Sequence, residues 1–155
     1  MSTSQQTPRR RQESLKQIEH MLAERDAMLR LLWKASGRES SLPHAPQPDL
    51  LKDFTSLLTD YLAAAHFGLY QRFAEGTERR QAVRRVAEQV YARIGTTTQA
   101  ALDFVDRYAE RGNAHLDPKL PDDLGKLADL LAERMRLEDQ LIDVMLDRTA
   151  KAPSA

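Results

Sequence analysis

Between Pro8 and Pro153, proline occurs in only two clusters: Pro43, Pro46 and Pro48, and then Pro118 and Pro121. Proline lacks an N–H and crowds the preceding turn, so it stops or kinks helices. Its confinement leaves long stretches with nothing to break them. The first cluster lies in Gly37–Pro48, which also holds Ser40 and Ser41, and reads as a loop. Gly112-Asn113 ahead of the second cluster and Gly76-Thr77 mark two further stops. No β-type alternation, internal repeat or low-complexity tract stands out between these breaks.

Four segments remain, each with apolar residues at helical spacing. The first runs roughly Pro8–Ser36, with Leu15, Ile18, Leu22, Leu29, Leu32 and Trp33 as its stripe. The second runs Asp49–Glu75, with Asp49 as N-cap and a core arc centred on Phe54, Leu58, Tyr61 and Ala65. The third runs Glu78–Arg111, capped by Thr77, with Val83, Val86, Val90, Ile94, Thr97, Ala101, Phe104, Val105 and Tyr108. Gly95 and Thr96–Thr98 are poor helix formers, which predicts a bend there or a helix held by packing alone. The fourth runs Asp122–Arg148, with Leu124, Leu127, Leu131, Met135, Ile142 and Met145.

Helices of ~27 residues are about 40 Å long. Four with one apolar face each must bury those faces together, and the simplest solution is an all-α bundle of four long, mostly antiparallel helices. The loop between the first and second helices is longer than usual for bundle neighbours. The reading is one domain, residues 9–149, between disordered tails at 1–8 and 150–155. Arg9–Arg11 are not followed by an apolar segment, so no secretory leader is expected. No stretch is long and apolar enough for a membrane span.

The chain has no cysteine, which excludes disulfides and thiolate chemistry. Its 23 basic and 23 acidic residues cancel, which argues against direct nucleic-acid binding, since domains that coat nucleic acid carry a basic excess. The cancellation hides alternation: residues 1–48 carry +3, 49–76 carry −2, 77–115 carry +2 and 116–155 carry −3. The arginine pairs Arg79-Arg80 and Arg84-Arg85 read as a solvated face.

Two positions break the amphipathic pattern. On a wheel, Phe67 falls nearly opposite the core arc of the second helix. It shares the outer side with Asp53, Asp60, Ala63, Ala64 and Gln71. An aromatic beside small residues and acids makes a docking surface; the alternative is that Phe67 packs on another helix of the bundle. On the fourth helix Glu138 falls inside the apolar arc, where a carboxylate must be paired. Arg134 is its local partner at four residues' distance, and Arg25 and His66 are candidates from other helices. His66, Arg134 and Glu138 are thus expected to form a buried polar cluster.

Enzyme signatures are absent. There is no Glu-x-x-His, no His-Glu-x-x-His, no phosphate-binding glycine loop and no nucleophile elbow. His20, His44, His66 and His115 are scattered. The expectation is a protein without catalytic activity, metal or cofactor.

The stretch Asp60-Tyr61-Leu62-Ala63-Ala64-Ala65-His66-Phe67-Gly68-Leu69-Tyr70 resembles the motif of the Rsd/AlgQ family of bacterial anti-sigma factors, Asp-Tyr-(Leu/Val)-Ser-Ala-Gly-His-Phe followed by Tyr. Leu137-Glu138-Asp139-Gln140-Leu141-Ile142 is similar to the family's carboxy-terminal Leu-Glu-Asp-x-Leu-Ile. Thr96-Thr97, Ala101-Leu102, Phe104, Asp106 and Tyr108 look like its third-helix pattern. Ala63 and Ala65 stand where Ser and Gly are usual, and Gln71 where Glu is common. Ala65 for Gly is expected to add a methyl where two helices approach. The resemblance implies a cytoplasmic regulator that binds the primary sigma factor of RNA polymerase; the expected state is a monomer or, with the Phe67 face pairing two copies, a weak homodimer. It implies contact with sigma's carboxy-terminal region, which reads the −35 promoter element. Asp60 would pair with an arginine of sigma, while Phe67 and Ala64 meet an apolar groove. Other readings of the same features are a helical regulator of a phosphocarrier or signalling enzyme, and a metal-binding bundle enzyme.

Overall fold

Helix α1 (Thr3–Ala35) turns a seam of Ser14, Ile18, Met21, Met28, Leu32 and Ala35 inward. The seam recurs at alternating intervals of three and four, the spacing that keeps one stripe of a straight helix facing its neighbours. It differs from the leucine stripe read off the sequence. Leu15 and Trp33 are exposed and Leu22 and Leu29 only half-buried, because Met21 and Met28 occupy the core positions. Methionine fills irregular gaps as well as leucine does. Arg25 falls in the same seam, in the step between Met21 and Met28.

The computed structural model describes residues 3–37 and 48–147. The loop expected between the first two helices lies largely outside them, as does the tail at 150–155. The helix starts at Thr3 rather than near Pro8, so residues 3–8 of the expected tail are helical. Pro8 forfeits one backbone bond near the helix start, a loss the rest of the helix carries.

Helix α2 (Pro48–Ala65) begins one residue before Asp49, which sits in its first turn. It continues through a π-helical segment, His66–Tyr70, and a last α-helical turn, Gln71–Ala74. Gly76 ends it in the left-handed conformation at φ 74°. The Gly76 N–H donates to the Phe73 carbonyl and the Thr77 N–H to the Arg72 carbonyl, the crossed pair that closes a helix end around glycine. The Thr77 hydroxyl donates to the same Arg72 carbonyl at 3.2 Å. Thr77 therefore belongs to the end of this helix and does not cap the next.

Helix α3 (Gln81–Tyr108) starts after Arg80 without a side-chain cap and is continuous through Gly95 and the three threonines. The stretch does not break the helix. The Thr97 and Thr98 hydroxyls donate to the Ile94 carbonyl at 2.7 and 3.0 Å, and packing holds the stretch. A short 3₁₀ turn, Ala114–Leu116, leads to α4 (Leu120–Met145). Pro121 lies inside the first turn of α4, where its missing N–H costs nothing, so this proline starts the helix rather than preceding it.

Pairings fix the topology. Gly68 meets Gln17, Phe54 meets Phe104, Phe73 meets Tyr91, and Tyr108 meets Asp123 while Arg93 meets Glu133. Arg25 of α1 and Tyr61 of α2 meet at the same Glu138, so each neighbouring pair of helices is antiparallel, giving an up-down-up-down four-helix bundle. Phe54, Leu58, Tyr61 and Ala65 are fully buried, as the wheel predicts for α2.

Candidate functional site

The motif helix α2 has an inner and an outer side, and both carry polar groups. On the inner side Tyr61 is fully buried against α4, where Arg134 and Glu138 occupy core positions of the seam Leu120, Leu124, Leu127, Leu131, Leu141. The Tyr61 hydroxyl donates to Glu138 Oε1 at 2.6 Å and accepts from Arg134 Nε at 3.0 Å. Arg134 Nε also donates to Glu138 Oε2 at 3.0 Å. The other end of the guanidinium donates to the Thr97 and Thr98 hydroxyls at 3.1 and 2.6 Å. Arg25 reaches in from α1, with Nη1 3.4 Å from Glu138 and 2.9 Å from Asp139.

The Arg134–Glu138 pair thus ties together all four helices. Burial works against charge on Arg134, yet the opposing fields of Tyr61 and Glu138 outweigh it and raise its pKa. Burial, and next the charge of Glu138, push the Tyr61 and Tyr70 hydroxyls well above the ordinary phenol value. A buried ion pair is costly to form and more costly to break, and here every partner is hydrogen-bonded. The cluster was readable in part. Glu138, Arg134 and Arg25 meet as expected, but His66 is exposed and plays no part. The regular turn of α2 already carries His66 about 100° past Ala65 and off the core arc, and the π segment then faces Gly68, Leu69 and Tyr70 inward in succession. Periodicity places Tyr61 and Thr97 in the core and marks Thr98 only as a poor helix former, and nothing in it reveals their hydroxyl bonds.

On the outer side Asp53, Asp60, Ala63 and Phe67 are exposed. Phe67 is 56% accessible, so it does not pack on another helix of the bundle. The His66 ring stands edge-on to it, centroids 5.3 Å apart. Ala64 is nearly covered and forms a floor. Asp60, Ala63, Ala64, Phe67 and Gly68 line one side of an open groove of about 320 Å³; Gln17, His20 and Glu24 of α1 line the other. Asp53 lies outside the groove, and half-buried Gln71 donates to Glu75 at 3.1 Å.

Helices α1 and α2 approach closely at Gly68. A Cβ there would stand 3.2 Å from the Gln17 carbonyl oxygen. Ala65 is fully buried. Groove and π segment therefore share two residues, Phe67 and Gly68, and π segments recur at functional sites.

Among the described residues no group of three His, Asp or Glu side chains is placed to hold a metal, and no helix is long and apolar enough to cross a membrane. The family model for regulators of the RNA polymerase sigma(70) subunit, Rsd/AlgQ, matches residues 1–146. The chain belongs to the Rsd/AlgQ family. Proteins named Regulator of sigma D from Shigella dysenteriae serotype 1 and from Escherichia coli O139:H28 are each 32% identical to it over 98 residues. The alignment covers 63% of this chain and 61% of each relative's length. No solved structure matches the chain. The family's characteristic motif is thus the segment that supplies both Tyr61 to the interior and Asp60 and Phe67 to the groove.

Proposed function

We propose that this protein is an anti-sigma factor that acts in the cytoplasm without cofactor or catalysis. It binds the primary sigma factor of RNA polymerase, mainly the basic carboxy-terminal region that reads the −35 element, and sequesters it from core polymerase stoichiometrically. The observation that carries the reading is the outward placement of Asp60 and Phe67 by the family motif. A promoter-reading domain is basic because it binds phosphate. An acid beside an exposed aromatic and an alanine floor complements such a surface in charge and in shape. Overall neutrality of the chain does not prevent this, since the charge of α2 is local.

Calorimetric titration of a purified sigma carboxy-terminal domain tests the proposal. Saturable one-to-one binding is expected, and its absence at tens of micromolar sinks the reading and favours a regulator of some other partner. Asp60→Arg should weaken binding at least tenfold while changing stability by no more than about 0.5 kcal/mol, as surface substitutions do. An Asp60→Arg protein that binds normally, or that unfolds, removes this face from consideration.

A further inference from the structure

We propose that α1 is the second wall of the partner site, and that Glu24 acts with Asp60 to select a basic amphipathic helix laid across the groove. This rests on the sigma-binding reading above and extends it to a helix that lies outside the motif. Three observations carry it. The groove is built by two helices, with Gln17, His20 and Glu24 facing Asp60, Ala63 and Phe67. No lysine or arginine lines it. Among the described residues Asp60 has no ion-pair partner, and Glu24 has only the His20 imidazole at 3.8 Å. Two carboxylates on opposite walls therefore face a space that holds no cation of the protein's own.

Shape narrows the occupant. The floor at Ala63 and Ala64 lets a backbone approach closely, and Phe67 closes one end with an apolar surface. The space admits a few side chains, not a whole helix, so the partner presents one face. That is the mode in which an amphipathic helix sets successive-turn side chains into a groove. An apolar side chain on the alanine floor and a lysine or arginine reaching between Glu24 and Asp60 satisfy both walls. The approach of Gly68 to the Gln17 carbonyl fixes the spacing of the walls, so α1 is held in register with the motif.

The test titrates a sigma carboxy-terminal domain into the full-length wild type and into Asp60→Arg, Glu24→Gln, Glu24→Lys and the control Glu13→Gln, at low and high salt. Glu24 is partly exposed and glutamine keeps its shape, so folding is preserved. Glu24→Gln should weaken binding about threefold to fivefold, the range of a surface ion pair, and Glu24→Lys by tenfold or more. Glu13→Gln should bind as wild type, and raising the salt should narrow the gap between Glu24→Gln and wild type. If wild type binds, Asp60→Arg weakens it and both Glu24 variants bind normally, the α1 wall is refuted and the sigma reading stands. If wild type fails to bind, both fall. If sedimentation shows the protein alone to dimerise, and Glu24→Lys abolishes this, the groove belongs to a second copy and the inference is overturned.

Discussion

The two faces of α2 use the same chemistry under opposite conditions. Outside, the Asp60 carboxylate stands in water with no partner among the described residues. Inside, one residue further on, Tyr61 helps to close a network in which Glu138 receives donors from Tyr61, Arg134 and Arg25. An unpaired charge is cheap where water covers it and costs several kcal/mol where nothing does. The outer face is thus free to keep charge available for a partner, while the charges of the inner face must be paired within the protein. Substitutions that separate stability from binding test this division.

The largest effect is expected inside. Glu138→Ala strands the Arg134 guanidinium, 1% exposed, and leaves the Tyr61 hydroxyl without its acceptor. Breaking a buried pair in this way costs about 3–5 kcal/mol. Urea unfolding monitored by circular dichroism measures it. A loss below 1 kcal/mol would mean that the network relaxes toward water and that the two faces differ less than their burial indicates.

This inner charge was legible in the sequence because a lone glutamate inside an apolar arc is anomalous whatever surrounds it. Its local partner followed from helical spacing, and the outward position of Asp60 followed from the same wheel. Three things were not legible. Periodicity assumes a constant turn, so the π segment, which faces Gly68, Leu69 and Tyr70 inward in succession, could not be read from it. The α1 seam runs through Met21 and Met28, which a search for leucines passes over. The union of Thr97 and Thr98 with Arg134 is a contact between helices, and helical spacing carries no information about such contacts.

Alkaline titration gives the next effect and tests the inner face through its two tyrosines. The Tyr61 and Tyr70 hydroxyls are raised above the ordinary value of 10.0, by burial first and by Glu138 second. Below about pH 10 both states keep these protons, so the contribution to stability is fully present. Above it the unfolded chain ionises first, and stability falls as pH rises, by up to about 1.4 kcal/mol per pH unit for each tyrosine. Tyr61→Phe should make that fall shallower. An unchanged slope would show that Tyr61 ionises in the folded protein as readily as in the unfolded one.

Gly68→Ala acts where the two faces join. Alanine favours the helix by up to about 1 kcal/mol over glycine, but its methyl meets the Gln17 backbone, and overpacking of this kind costs about 1–3 kcal/mol. A net loss near 1 kcal/mol is expected, together with weaker sigma binding as α1 is pushed off the groove. Unchanged binding in a destabilised variant would separate the groove from this helix contact.

The smallest effect distinguishes two buried tyrosines that face the same glutamate. Tyr61 both donates and accepts; the Tyr70 hydroxyl is buried and, among the described residues, has no hydrogen-bond partner. Removing a satisfied hydroxyl leaves its partners unpaired, at about 1–3 kcal/mol, whereas removing one that is buried and unsatisfied is neutral or stabilising. Tyr61→Phe should therefore lower stability and Tyr70→Phe should leave it unchanged or raise it by up to about 1 kcal/mol, both read by urea unfolding. Sigma binding should stay at wild-type strength in Tyr70→Phe, since the hydroxyl points away from the groove face that Asp60 and Phe67 form. Destabilisation by Tyr70→Phe would mean that its hydroxyl is hydrogen-bonded in the folded protein, and that the inner face extends its network into the π segment beneath the groove.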